Sequence, residues 1–220
     1  NGNKVKEITQ NMPGVYQLLP SRRYVQENGS YIKDTRNKQN LILNYDQTKS
    51  LLANLGHNSN LFTPSEILHG LDNNLNTNGV DVTNIVGSGM STLGQIIEKY
   101  SLNLTGLKIS HKDEIQINGD ETVPLLSASF GSVNVFYTNQ KHGDLVKPGA
   151  AINLVKNILE GNNSLPNGVS SNPYKLNGYS LSVHSPVNIH IFDANGNHTG
   201  PTASGFEVNI PGSSYETLDD

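Results

Sequence analysis

Apolar residues fall into short clusters along this chain, and their spacing predicts a mixture of helices and strands separated by Gly- and Asn-rich turns. Helical spacing recurs at Gln47 to Leu55, at Thr63 to Leu71 and at Ala150 to Leu159, where Ile152, Val155 and Ile158 share a face behind Pro148. In the second of these, Thr63-Pro64-Ser65-Glu66 sets a capping hydroxyl before a proline, with a glutamate placed to close the box, and Ile67, Leu68 and Leu71 form one face. Val80 to Val86 reads as a strand, Gly87-Ser88-Gly89 as a tight turn and Thr92 to Tyr100 as a helix. Leu107 to Ile109 and Glu114 to Ile117 alternate apolar with polar residues. They predict a hairpin that turns at Ser110-His111-Lys112-Asp113. Val133 to Tyr137 is a further strand leading into the loop that carries His142.

These elements divide the chain into three segments. Apart from Leu41-Ile42-Leu43, nothing before residue 79 resembles a strand, so residues 1–78 are expected to form a helical cap. Residues 79–165 alternate strands and helices. The break Gly161-Asn162-Asn163-Ser164-Leu165-Pro166-Asn167-Gly168 then separates them from a β-rich tail, residues 166–220, with strands expected at Tyr179 to Val183, Val187 to Phe192 and Phe206 to Ile210. That tail is too short to be a complete sandwich. The expected fold class is α/β with a small appended all-β segment.

Composition narrows the partners. A net charge of -4 with 15% charged residues and no basic run offers no field for gathering phosphates, so no nucleic acid is expected. No window approaches the apolar length of a transmembrane helix, and no signal peptide is visible. With no cysteine, disulfides, thiolate metal sites and a cysteine nucleophile are excluded, and the compartment is left open. An exported or cell-surface bacterial protein fits as well as a cytosolic one. The 30 asparagines match the residue usage of an AT-rich genome and do not signal disorder while periodic apolar segments persist. Beginning at Asn1, the chain reads as a processed product or a fragment.

The candidate chemistry lies in two loops. Gly119-Asp120-Glu121-Thr122-Val123-Pro124 supplies a carboxylate after a strand, and Lys141-His142-Gly143-Asp144-Leu145 supplies an imidazole between a strand and a helix. In a catalytic triad a carboxylate orients the histidine and the histidine takes the proton of a serine, which casts Asp120 as orienter and His142 as base. Gly-Asp and His-Gly pairs are also ordinary turn chemistry.

The chain resembles the lecithin:cholesterol acyltransferase-like family of α/β-hydrolases in Tyr16-Gln17-Leu18-Leu19-Pro20-Ser21, Ile85-Val86-Gly87-Ser88-Gly89 with Thr92, Gly119-Asp120-Glu121-Thr122-Val123-Pro124-Leu125 and Lys141-His142-Gly143-Asp144-Leu145. The likeness covers about residues 12 to 160. It implies the C-terminal part of an α/β-hydrolase with a helical cap, with Asp120 and His142 as catalytic residues, no cofactor and no metal. The implied reaction is acyl transfer from a lipid or other ester substrate through a serine acyl-enzyme. Glu121 stands where the family more often has glycine. The family's first half, with its serine elbow and oxyanion donors, has no counterpart here, so the missing N-terminal half is an implied partner and the chain alone is expected to be inactive. The alternative is a non-catalytic binding or cell-surface module in which these positions are turns.

Other constellations are weaker. Gly87-Ser88-Gly89-Met90-Ser91-Thr92-Leu93-Gly94 fails as a serine elbow on Ser91, because Leu93 stands where G-x-S-x-G needs glycine. As a dinucleotide loop it has Thr92 where a third glycine or alanine belongs. His184, His190, Asp193 and His198 are close in sequence, but Ser185-Pro186 interrupts the register that a shared metal would need. Asp193-Ala194-Asn195-Gly196-Asn197 begins like a calcium loop, yet His198 and Ser204 occupy its sixth and twelfth positions, and a hairpin turn is the better reading. Val15, Tyr16, Leu18 and Leu19 either line an acyl pocket or pack as core.

Overall fold

A computed structural model describes residues 2–35, 41–73, 78–103, 106–129, 133–179, 181, 183 and 187–215. The chain is α/β, with two mixed sheets and a small antiparallel sheet. It divides into two compact units, Asn1–Asn177 and Gly178–Asp220. The segments read as cap and core, residues 1–78 and 79–165, both fall in the first unit.

Among the described residues, five helices occupy the first segment of unit 1: α1 (Gly2–Thr9), α2 (Pro13–Gln17), α3 (Arg22–Asn28), α4 (Tyr45–Asn54) and α5 (Phe62–Asn73). Helix α4 starts on a capping box, in which the Asn44 side chain accepts from the Gln47 amide and the Gln47 side chain accepts from the Asn44 amide. Thr63 does not cap α5 as its sequence predicts. A 3₁₀ turn, Ser59–Leu61, runs straight into Phe62, and the cap is Asn58, which accepts from the Asn60 amide. The expected apolar face is also misplaced, since α5 buries Phe62 and Ser65 while Ile67 is 64% exposed. The segment is not purely helical either. Strand β1 (Ile32–Asp34) pairs with β2 (Leu41–Ile42), and at three and two residues neither is long enough to display a period-2 pattern.

The largest departure concerns residues 90–119. Thr92 to Tyr100 is not a helix but part of β4 (Met90–Asn103), and residues 110–113 do not turn but continue β5 (Gly106–Gly119), its antiparallel partner. A register shift between Leu93 and Gln95 explains the misleading pattern. Such a bulge adds a residue to a strand, so apolar positions on either side fall at spacings that imitate a helix. The bulged carbonyl of Gly94 is caught by α3, accepting from the Tyr24 hydroxyl at 2.7 Å and the Asn28 amide at 3.2 Å. Strand β1 runs parallel to β4, completing a four-stranded sheet in the order β2-β1-β4-β5. The core lies between this sheet and the helices, with Tyr24, Val25 and Tyr45 in one cluster and Ile32, Leu43 and Leu51 in another, both touching Tyr31.

The second sheet positions the candidate chemistry. Strands β3 (Thr83–Gly87) and β6 (Asn134–Thr138) pair in parallel, and β7 (Val169–Ser170) joins β6 antiparallel. The register ends with Gly87 beside Thr138, so both chains leave the sheet at the same edge. A short helix α6 (Leu125–Ala128) follows the Asp120 loop, and the Arg23 guanidinium closes its end by donating to the carbonyls of Leu126 and Ser129. Helix α7 (Ala150–Leu159) lies where the sequence predicts it. It buries Ala151 and Leu154, leaving Ile152, Val155 and Ile158 half exposed.

Unit 2 is a three-stranded antiparallel sheet of β8 (Ile191–Phe192), β9 (His198–Thr202) and β10 (Gly205–Val208), in the order β10-β9-β8. Asp193 to Asn197 form the expected hairpin turn between β8 and β9. Strand β9 has no counterpart in the sequence reading. Residues 180 and 182 of the expected strand Tyr179 to Val183 lie outside the described residues, and Tyr179, Leu181 and Val183 are not in a strand. Among the described residues no helix is long and apolar enough to cross a membrane.

Burial pushes the Tyr24 and Tyr45 hydroxyls up to about 12, from an ordinary 10.0, with Glu66 adding to the effect at Tyr45. Across that window the unfolded chain has released tyrosine protons that the native state keeps, so stability falls as pH rises. Urea unfolding followed from pH 9 to 12 should show a midpoint that drops above about pH 10, and a midpoint flat to about pH 12 would contradict it.

Candidate active site

The Asp120 loop is built by its own carboxylate. Oδ1 accepts from the backbone amides of Thr122 at 3.0 Å and Val123 at 2.6 Å, and the Asp120 amide donates to the Val123 carbonyl at 3.3 Å. This is the Asx turn that a Gly-Asp pair favours. The turn forces Glu121 to a φ of 76°, left-handed backbone that suits glycine better, and its amide is held there by the hydroxyl of Thr92 at 2.9 Å. Thr92 is itself fully buried on β4. The hairpin β4–β5 thus delivers Asp120 and also supplies the hydroxyl that shapes its loop.

His142 approaches from β6. Its backbone amide donates to the Asp120 carbonyl at 2.9 Å, and its Nδ1 lies 3.0 Å from Asp120 Oδ2. A carboxylate offers only acceptors, so Nδ1 carries the proton, and in the neutral ring Nε2 presents the lone pair. Asp120 is 2% exposed, whereas the His142 side chain is 51% exposed. Among the described residues no hydroxyl is hydrogen-bonded to Nε2.

Further contacts hold the histidine loop. Lys141 Nζ meets Glu121 Oε1 at 2.8 Å, linking the residues next to the Asp120–His142 pair, and Glu121 holds the Lys141 ammonium above its ordinary range. Gln140 accepts from the Ala151 amide at 2.8 Å and donates to the Asp144 carbonyl at 3.1 Å, tying the loop to the start of α7. Lys147 holds the Asp144 carboxyl below its usual range through a 2.7 Å contact. The Lys141 and Lys147 pairs are exposed and contribute little stability. The role of Gln140 has no signal in the sequence beyond its place two residues before His142.

Close packing of backbone fixes the distance between the loops. A methyl on Gly87 would stand 2.5 Å from Asp120 Cβ and 2.8 Å from the Gln140 carbonyl oxygen, nearer than any Cβ can come. Gly87 therefore admits both loops to the edge of the sheet.

The remaining candidates separate from this pair. Ser91 is exposed on β4, donating to Gln116 Oε1 at 3.2 Å, and the chain around it is strand rather than the strand-turn-helix of an elbow. Ser88 is buried, its hydroxyl accepting from the Tyr174 amide at 3.0 Å. Tyr16 is core, set edge-on to Phe62 at 5.2 Å, and Leu18 is 87% exposed, so these residues do not assemble an acyl pocket. Leu19 lines a cavity with Val25, Tyr45, Leu52 and Phe62, but its volume of about 20 Å³ holds a single water. His142 is not among its lining residues.

In unit 2 both oxygens of Asp193 are engaged within the hairpin turn, by Asn195 and Asn197, and are not arranged as in a calcium loop. His184, with Ser185 and Pro186, lies outside the described residues. Among the described residues no three His, Cys, Asp or Glu side chains converge as a metal site.

The fold and this site together define an α/β protein that presents a carboxylate-oriented imidazole at the ends of two parallel strands. No family model matches the chain, and no curated protein matches it at a significant level.

Two substitutions test the construction of the loop. Thr92→Val keeps the shape but leaves the Glu121 amide without its acceptor, and should lower unfolding free energy by about 1–3 kcal/mol. Gly87→Ala must displace backbone and should cost at least a similar amount, about 1–3 kcal/mol. Denaturant unfolding measures both, and values indistinguishable from the parent chain would refute this account of the loop.

Proposed function

We propose that this chain is the C-terminal portion of a serine ester hydrolase or acyltransferase, an α/β-hydrolase of the lecithin:cholesterol acyltransferase-like kind. Asp120 and His142 are its triad carboxylate and base, and the nucleophilic serine comes from a segment outside this chain. The observation that carries the reading is the Asp120–His142 contact, in which a buried carboxylate meets Nδ1 of a half-exposed imidazole. Residues 1–78 serve as the cap, residues 79–165 as the end of the hydrolase core and the β-rich tail as an appended module.

In this mechanism the serine hydroxyl hydrogen-bonds to His142 Nε2, which takes its proton as the oxygen attacks the ester carbonyl. Asp120 stabilises the imidazolium by accepting from Nδ1, and it keeps the ring in the tautomer that leaves Nε2 basic. The imidazolium then returns the proton to the leaving alcohol. Water or an alcohol acceptor, activated at the same nitrogen, releases the acyl group. The substrate is a lipid or another ester.

A non-catalytic binding or cell-surface module is the competing reading, in which Asp120 serves only the turn that it builds with the Thr122 and Val123 amides. Hydrolysis of short-chain nitrophenyl esters by the full-length gene product separates the two. His142→Ala should lower kcat by at least about a thousandfold and Asp120→Asn by about ten-thousandfold, while residues 1–220 alone should show no enzymatic rate. Equal rates in the parent and His142→Ala proteins would end the catalytic reading.

A further inference from the structure

The antiparallel register of unit 2 sets a second histidine constellation on one face of its sheet. Phe192 pairs with His198, and Glu207 with Gly200. His190, one position before β8, follows the same register opposite Gly200. His198 Nδ1 lies 2.5 Å from Glu207 Oε1, so the carboxylate fixes the proton on Nδ1, and in the neutral ring the lone pair lies on Nε2. That nitrogen points at His190 Nδ1, 2.9 Å away, with the two rings inclined by only 16°. Phe192 stacks on the His198 ring at 4.7 Å. Glycine at 200 makes room for the pair, because a methyl there would stand 2.9 Å from His198 Nε2 and 3.2 Å from His190 Cα.

We propose that His190 and His198 form a two-imidazole binding site for a borderline divalent transition ion of the Zn²⁺, Ni²⁺ or Cu²⁺ class, with Glu207 holding His198 from behind. Three features carry it. A carboxylate that receives the second N–H of an imidazole is the arrangement that orients histidine metal ligands and raises their basicity. Two nitrogens on one tetrahedral ion at about 2.0–2.1 Å stand roughly 3.3 Å apart, so the ion is admitted by a few tenths of an ångström of opening together with a turn of each ring by roughly 35° off the N–N line. His190 is exposed, so its ring can reach the ion from the solvent side. Imidazole pairs select borderline ions over Mg²⁺ and Ca²⁺, which prefer oxygen.

Binding balances without loss of a proton. The hydrogen that bridges the two rings moves from Nδ1 to the outer Nε2 of His190, both rings bind as neutral imidazoles, and the ion exchanges two waters for two nitrogens. Its other positions keep water. The proposal rests on residues of unit 2 and does not depend on the hydrolase reading.

Calorimetric titration of the untagged full chain with zinc chloride, paired with NMR of the histidine rings, tests the proposal. One saturable equivalent is expected, with zinc-induced changes at the rings of His190 and His198. His190→Asn and His198→Asn should each weaken binding at least about tenfold, Glu207→Gln by about tenfold, and Gly200→Ala should weaken it as well. His57→Asn and an excess of Mg²⁺ should leave it unchanged. The absence of saturable uptake would overturn the site, as would unchanged uptake in the His190→Asn/His198→Asn double variant. Where a variant fails to fold by circular dichroism, the ring spectra of the parent chain decide, and zinc-induced changes confined to other histidines refute the proposal.

Discussion

A single buried carboxylate organises the candidate site. Asp120 is almost wholly removed from water, and a carboxylate so placed is tolerable only when its oxygens are satisfied. Two backbone amides of its own loop occupy Oδ1 and the His142 imidazole meets Oδ2. The same group therefore shapes one loop and captures the other. Replacing it by an apolar side chain would remove both functions together, because the turn and the imidazole contact share one anchor.

The rest of unit 1 can be understood as bringing that anchor to the right place. Parallel pairing of β3 and β6 makes two chain segments leave the sheet together, and Gly87 lets the loops approach to backbone contact. Parallel strands require a long crossover, and here it consists of the β4–β5 hairpin and α6. The hairpin is held through its bulge, whose Gly94 carbonyl is bonded to α3, and it returns Thr92 to hold Glu121. Glu121 sits in left-handed backbone and gives its side chain to Lys141. The two loops are thus joined at adjacent positions, one contact part-buried and the other in solvent.

Asp120 and His142 were legible in the sequence because their neighbours, Gly119 and Thr122-Val123-Pro124 on one side and Gly143 on the other, carry turn chemistry that is local. Strands β3 and β6 and helices α4 and α7 were legible for the same reason. What escaped was set by partners far along the chain. The Leu93, Ile96, Ile97 and Tyr100 spacing fits a helix, and only pairing with β5 across the bulge makes it a strand. Residues 110–113 look like a turn, yet His111, Lys112 and Asp113 pair with β4, and Ser110 is the extra residue at a second register shift. Strand β1 is visible only through its register with Ile96 to Glu98. In unit 2 the facing of His198 with Glu207 depends on the pairing of β9 with β10, which no local pattern signals.

The central claim is that Asp120 holds His142 through Nδ1 and leaves Nε2 as the free nitrogen. Long-range ¹H–¹⁵N NMR of the His142 ring reads this directly, because protonated and lone-pair nitrogens of a neutral imidazole resonate far apart. The account predicts a protonated Nδ1 in slow exchange with solvent and an unprotonated Nε2, with both signatures lost in Asp120→Asn. A ring protonated at Nε2, or one averaging freely between tautomers in the parent protein, would contradict it.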